Sequence, residues 1–275
     1  MSDPRDALDA IGQIPDSEID IADAALQFAR IDAPGADWHA ARAHLSELAR
    51  DAVALAAELP DDAVPTRAGG LAGLVAGRHG YRGDDKTYDD LANANLIRVI
   101  ERRRGLPVAL GILWLHCARA ADWEAHGLDF PGHFLLGLKG RGAQAVLDVF
   151  AGGNPMDARD LRALLKSVEG DKAELSPGVL RPMSARSVLL RLQNNIKLRR
   201  LRAGELDAAL SCTEDMLRIA PDAAQLWREA ALINQRLDRV AAALRCFEQF
   251  LELVPGGDAA ARARTAMDEL RARLN

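Results

Sequence analysis

The chain has 275 residues, 49% of them apolar, enough to bury a core as one large or two ordinary domains. A net charge of −5 with both signs interspersed leaves no continuous basic face, which excludes nucleic acid as the expected partner. The acidic start MSDPRDALDAIGQIPDSEID is not a secretory signal and no apolar run reaches membrane-spanning length. The three cysteines, Cys117, Cys212 and Cys246, have neither disulfide nor metal-ligand spacing. The expectation is a cytoplasmic protein with no cofactor, no metal and no membrane partner.

Aromatics make up 4% of the chain while alanine, leucine and arginine abound, so helices should dominate. Residues 1–14 are weakly helical. Asp16, Ser17 and Asp20 are capping candidates ahead of Ile19, Ala22, Leu26 and Ala29, predicting a helix over 17–30 that Pro34-Gly35 ends. An amphipathic helix follows over 38–59, with Leu45, Leu48, Ala52, Leu55 and Ala56 on one face, stopped by Pro60-Asp61-Asp62. Residues 68–78 form a glycine-rich helix candidate, and 79–88 read as a polar loop.

The central stretch is 91–150. An apolar helix from Leu91 carries Arg102, Arg103 and Arg104 in its last turn, where cations suit the dipole, and stops at Gly105. Pro107 opens a second helix whose residues Val108, Leu110, Ile112, Leu113, Leu115 and Ala118 cover nearly every face, which marks it as the core helix. Two strand-like pieces, 130–138 and 145–150, read as a hairpin around Lys139–Gly142. After the turn Ala151-Gly152-Gly153, residues 156–168 look helical with Asp157 as cap, and 169–182 form a mixed polar segment with two prolines. From Ser184 the pattern becomes helix pairs. Leu210 falls on Leu244, Ala209 on Ala243, Cys212 on Cys246, Leu217 on Leu251 and Pro221 on Pro255, each 34 apart (244 − 210), the period of a tetratricopeptide repeat. The repeats span about 190–222 and 223–256, and the amphipathic segment 258–274 caps the stack. The equivalence of Cys212 and Cys246 points to packing between helices.

The run GYRGDDKTYDDLANANLIRVIERRRGLPVALGILWLHCARA, with GLDFPGHFLLGL, LDVFAGG and the repeats behind them, resembles the transglutaminase-like/TPR proteins of the SirB type over roughly residues 70–255. The resemblance implies an α+β, mostly helical chain: a transglutaminase-like, papain-like domain with a small antiparallel sheet, then an all-α TPR module. The expected limits are 1–168 for the helical N-terminal region with the transglutaminase-like domain, 169–183 for a linker, and 184–275 for two repeats and a capping helix. In that family the loop over 79–88 and the following Asn93 or Asn95 belong to the characteristic pattern, and the loop is expected at the border of the cleft; on local grounds those asparagines equally suit a surface connection held by side-chain bonds to backbone.

Transglutaminase-like enzymes, by this resemblance, use a cysteine at the start of the core helix, a histidine on the next strand and an aspartate on the strand after. The dipole stabilises the thiolate, the imidazole moves its proton and the carboxylate fixes the imidazole tautomer. His133 matches the histidine and Asp148 the aspartate. Pro107, Val108 and Ala109 occupy the place of the nucleophile, where SirB-type proteins usually show serine, so the triad is degenerate. Cys117 lies roughly 12 Å further along the helix axis and reads as a core thiol. His79, His116 and His126 have no spacing that joins them to His133 in a metal site.

Three functions compete. The first is a pseudoenzyme acting in protein–protein interaction or regulation, whose TPR inner face grips a peptide or protein partner through Arg191, Asn194, Gln225, Arg228 and Gln235. The second is a hydrolase or amidotransferase that uses His133 and Asp148 with water or another group. In the third, His133 and Asp148 serve packing alone. The sequence assigns no oligomeric state.

Overall fold

The computed structural model describes residues 3–59, 62–176 and 178–273. Pro60 and Asp61, expected to stop the 38–59 helix, Pro177 of the polar segment and Leu274, the expected end of the last helix, lie outside the described residues. The chain forms two compact units, one of residues 15–192 and one of residues 1–14 with 193–275. The first helix, α1 (Pro4–Gly12), belongs to the latter. It opens where Asp3 accepts from Arg5 N at 2.9 Å and Pro4 occupies the first turn.

In the unit of residues 15–192, a 3-10 turn at Asp16–Glu18 precedes α2 (Ile21–Asp32), whose Asp20 cap accepts from Ala22 N and Asp23 N. Asp37 caps α3 (Trp38–Glu58) likewise. The glycine-rich segment is helical over α4 (Val64–Ala72) and continues as a π-helical turn, Gly73–Arg78. Within the polar loop lies β1 (Arg82–Gly83), parallel to β2 (Arg104–Gly105).

The helix expected from Leu91 is broken. A 3-10 turn at Leu91–Asn93 comes first, Asn95 then caps α5 (Leu96–Arg102), and Arg103 leaves it in the left-handed conformation at φ 55°. The three arginines are therefore not a uniform set of dipole partners. Arg102 bonds Asp84 at 2.8 Å, Arg103 donates to the Tyr81 hydroxyl and the His44 ring, and Arg104 lies in β2.

Next comes α6 (Pro107–Ala120), the expected core helix, buried without interruption from Pro107 to Trp114. It packs on a five-stranded antiparallel sheet of β3 (Ala125–Phe130), β4 (His133–Gly140), β5 (Ala143–Asp148), β6 (Asn154–Pro155) and, later in the chain, β7 (Arg181–Met183), in the order β6-β5-β4-β3-β7. Two glycines make room for Phe134: a Cβ on Gly111 of α6 would fall 2.1 Å from its ring, and one on Gly127 of β3 would fall 2.8 Å from it. Burying that ring, 1% exposed, stabilises the fold by about 2–3 kcal/mol.

The strand expected over 130–138 is two strands, because Pro131-Gly132, with Gly132 at φ 63°, turns the chain between β3 and β4. Residues 181–183, placed by sequence in a linker, are the edge strand β7, where Pro182 removes no donor that an inner strand would need. On the sheet, Leu161 and Leu165 of α7 (Ala158–Glu169) meet Leu128, Phe130 and Leu135. Asp157 and Asp160 form the capping box of α7.

The last helix of this unit, α8 (Ala185–Arg202), runs on into the other unit from residue 193. There it is followed by α9 (Leu206–Ile219), α10 (Ala224–Arg236), α11 (Val240–Leu253) and α12 (Gly257–Ala272). The 34-residue spacing is a packing repeat: Ala209 and Ala243 are both fully buried, as are Met216 and Phe250 to within a few per cent. Phe247, Phe250, Met267 and Leu270 form the core under α10, α11 and α12. The α1 helix packs on α9, with Leu8 fully buried, Arg5 on Asp215 at 2.8 Å and Arg218 on Asp9 at 2.7 Å.

Candidate functional site

Backbone hydrogen bonds tie the residues ahead of α6 and the end of β5 to β1 and the turn at 91–93, the neighbourhood in which the family resemblance leads one to expect a triad. Leu106, the residue before α6, donates its N–H to Asn93 O at 2.8 Å, and β2 just ahead of it ladders onto β1. Gly83 of β1 donates to Phe150 O at 3.1 Å, and Phe150 N returns to the Asp148 carboxylate at 3.0 Å. A Cβ on Gly83 would lie 2.5 Å from the Phe150 ring, so that ring fills the space against β1. It also stands edge-on to His133, 6.3 Å between centroids, and to Tyr88 at 6.0 Å.

His133 opens β4 and Asp148 closes β5. His133 Nε2 lies 3.1 Å from Asp148 Oδ1, which also accepts from the N–H groups of Phe150 and Ala151. Burial by itself raises the Asp148 carboxyl, but the His133 ring and the two backbone donors outweigh it and hold the group below the usual carboxylate range. An ionised Asp148 accepts a proton from Nε2 and so fixes the orientation of the His133 ring. The pair is thus assembled as a base and its orienting carboxylate. At the start of α6, where the resemblance puts the nucleophile, Ala109 is fully buried and ends in a methyl group. Cys117, also fully buried, has its thiol pushed up to about 12 by burial and then by Asp51, so it stays protonated at neutral pH.

Asn93 and Asn95 are buried rather than on the surface. Asn93 donates to Thr87 O at 2.6 Å, and Asn95 both caps α5 and donates to Ala29 O at 3.0 Å. His79 bonds Asp51 and His116 bonds Leu45 O, and among the described residues no cluster of His, Cys, Asp and Glu side chains can hold a metal ion. A hollow of about 600 Å³ lies by the far end of α6, against Leu115, Arg119, Trp123 and Val188; His133, Asp148 and Ala109 do not line it.

The five residues expected on the TPR face divide. Gln225, Arg228 and Gln235 lie on α10, and Asn194 lies on α8 in the same unit. Gln225 is exposed and donates to Glu229 at 2.8 Å, Glu229 also takes the buried Lys197 ammonium, and Asn194, Arg228 and Gln235 are half-buried. Arg191 is elsewhere. Its guanidinium holds the β3–β4 turn, donating to His133 O at 2.5 Å, to Phe130 O at 3.1 Å and to the Asp129 carboxylate. Sequence reasoning missed this role, and it gave no role to Phe150 beside His133 or to Tyr88 beside Phe150, although both lie in the runs that carry the family resemblance.

Residues 39–194 match the model of the transglutaminase-like superfamily, and residues 196–275 match a tetratricopeptide repeat. A UPF0162 protein of Pseudomonas aeruginosa is 32% identical over 86% of this chain and 84% of its own length. This chain belongs to the UPF0162 family. A UPF0162 protein of Xylella fastidiosa is 31% identical over 64% of each chain, and one of Vibrio cholerae is 30% identical over 70% of this chain and 71% of its own. The match thus spans about two thirds of the Xylella relative's length. Within the UPF0162 chain described here, the transglutaminase-like match contains Ala109, His133 and Asp148, and the repeat match starts inside α8. The expected order, an α+β transglutaminase-like domain with a small antiparallel sheet and then TPR helices, is the observed one. Among the described residues no helix is long and apolar enough to cross a membrane.

Proposed function

We propose that this UPF0162 chain is a cytoplasmic protein-interaction or regulatory protein whose transglutaminase-like domain is non-catalytic and whose repeats carry the binding face. The observation that carries this reading is Ala109: a buried methyl stands where the chemistry needs a nucleophile. Asn194, Gln225, Arg228 and Gln235, gathered on α8 and α10, supply polar groups at a repeat surface of the kind that grips peptides. The test is a quantitative pull-down from source-cell lysate with wild type, His133→Ala and Asn194→Ala/Arg228→Ala. A partner lost in the double variant and kept by His133→Ala supports the reading. A partner lost only in His133→Ala refutes it.

A second reading rests on the preassembled His133–Asp148 pair, 3.1 Å apart with Asp148 ionised. Such a pair can act as a general base on water or on a nucleophile brought by a substrate, which makes the domain a hydrolase or amidotransferase. It requires turnover of an amide or ester that disappears in His133→Ala, and turnover unchanged in that variant removes it.

A further inference from the structure

The 34-residue spacing recurs on the surface of the repeat unit. It superposes Asn194, Arg228 and Arg262 (228 − 194, 262 − 228), and likewise Leu198, Leu232 and Ala266 (232 − 198, 266 − 232). Leu198 and Leu232 are 40% and 45% exposed, unusual for large aliphatic side chains in this fold. Equivalent positions on successive repeats form a stripe, whereas isolated exposed leucines scatter.

Beside Leu232 the stripe deepens into a hollow of about 190 Å³ among α10, α11 and α12, floored by Leu232, Phe247, Ala259, Ala263 and Ala266. Arg228 and Arg262 line the same hollow. Among the described residues neither guanidinium forms an ion pair, and Arg228 Nε is buried without an acceptor. The carboxylate next to Arg228 is already satisfied, because Glu229 takes Lys197 and Gln225. Asp258, one turn before Arg262 on α12, makes no ion pair with it. Two uncompensated cations flank an apolar cavity with room for one aliphatic side chain.

A buried N–H without an acceptor leaves Arg228 uncompensated inside the fold, and at the open ends of the two guanidinium forks a carboxylate is the best match. Nucleic acid is a poorer match, since its binding relies on many phosphate contacts along a basic track. We propose that this groove binds an acidic peptide segment, one apolar side chain entering the hollow and flanking carboxylates meeting Arg228 and Arg262. The proposal rests on the repeats being the binding surface and narrows the partner to one chemistry.

Fluorescence anisotropy of the full chain with a labelled peptide of alternating glutamate and leucine tests it. Controls are the peptide with lysine for glutamate, the peptide with serine for leucine, and an oligothymidylate. The expected result is salt-sensitive binding of the glutamate–leucine peptide alone, weakened about tenfold by Arg262→Gln and by Leu232→Ser. Both side chains reach the surface, and circular dichroism melts check that each variant is folded. No binding, equal binding of a control peptide, preference for the oligothymidylate, or binding unchanged in both variants overturns the proposal. The two readings fail separately: a lysate partner that needs Asn194 and Arg228 but ignores Arg262→Gln and Leu232→Ser keeps the interaction role and removes the acidic peptide.

Discussion

The His133 ring nitrogen is held by Asp148 at 3.1 Å and its carbonyl by Arg191 at 2.5 Å, so two side chains fix one residue at both its ends. Arg191→Lys keeps a cation near Asp129 but cannot reach two carbonyls and a carboxylate together. The expected outcome is faster amide exchange in the turn at residues 129–134 and a loss of about 1–2 kcal/mol in urea unfolding; unchanged exchange would show that Arg191 does not hold the turn. Asp84 gives a pH-dependent test. Hydrogen bonds from the Thr87 hydroxyl and N–H, with Arg102 beside them, lower its carboxyl to about 2. A carboxyl depressed on folding stabilises the protein above the unfolded value near 4, and that contribution is lost as pH falls toward 2. Asp84→Asn should cost about 1–3 kcal/mol at pH 7, with the difference from wild type shrinking below pH 4 in denaturant titrations. His133 and Asp148 were legible in the sequence because the order of helix, strand and strand is itself a signal. Arg191 was not: its repeat position equates it with Gln225 (225 − 191 = 34), and only the fold reveals that this part of α8 docks on the sheet.

Among the elements, α6 sets propensity against packing. Replacing Gly111 by alanine in an isolated helix gains about 1 kcal/mol, but here the new Cβ would lie 2.1 Å from a fully buried Phe134 ring that has nowhere to go. Overpacking costs about 1–3 kcal/mol, so Gly111→Ala should lower the melting temperature; a raised one would show that the α6–β4 contact yields. Asp157→Ala removes the capping box and should destabilise α7, read as its earlier loss in hydrogen exchange; unchanged exchange would show that the cap does not hold the helix start. The core helix and the α7 cap could be read from the sequence because proline at a helix start and aspartate at a cap act locally. β3 could not: in AHGLDF the histidine, glycine and aspartate break the apolar alternation, and the strand exists because β4 and β7 pair with it on both sides.

At the scale of the whole molecule, the order of transglutaminase-like and repeat parts was readable because a 34-residue period survives divergence in individual residues. The place of the first helix was not, since nothing local in residues 4–12 names α9 as its partner. A Cβ on Gly12 would fall 2.2 Å from the Arg218 carbonyl oxygen, backbone that cannot swing aside. Gly12→Ala should therefore destabilise the unit of residues 1–14 and 193–275 by about 1–3 kcal/mol, while amides of residues 15–192 keep their protection in hydrogen exchange.

The Arg5–Asp215 bond joins residues 210 positions apart, which gives the protein a timetable on the ribosome. At about 5–20 residues per second, α1 emerges roughly 10–40 seconds before the helix it packs against. During that interval residues 15–192 have all been made, while Leu8 waits in water for a surface that does not yet exist. Residues 1–14 and 193–275 can therefore close as a unit only after residues 15–192 have been made.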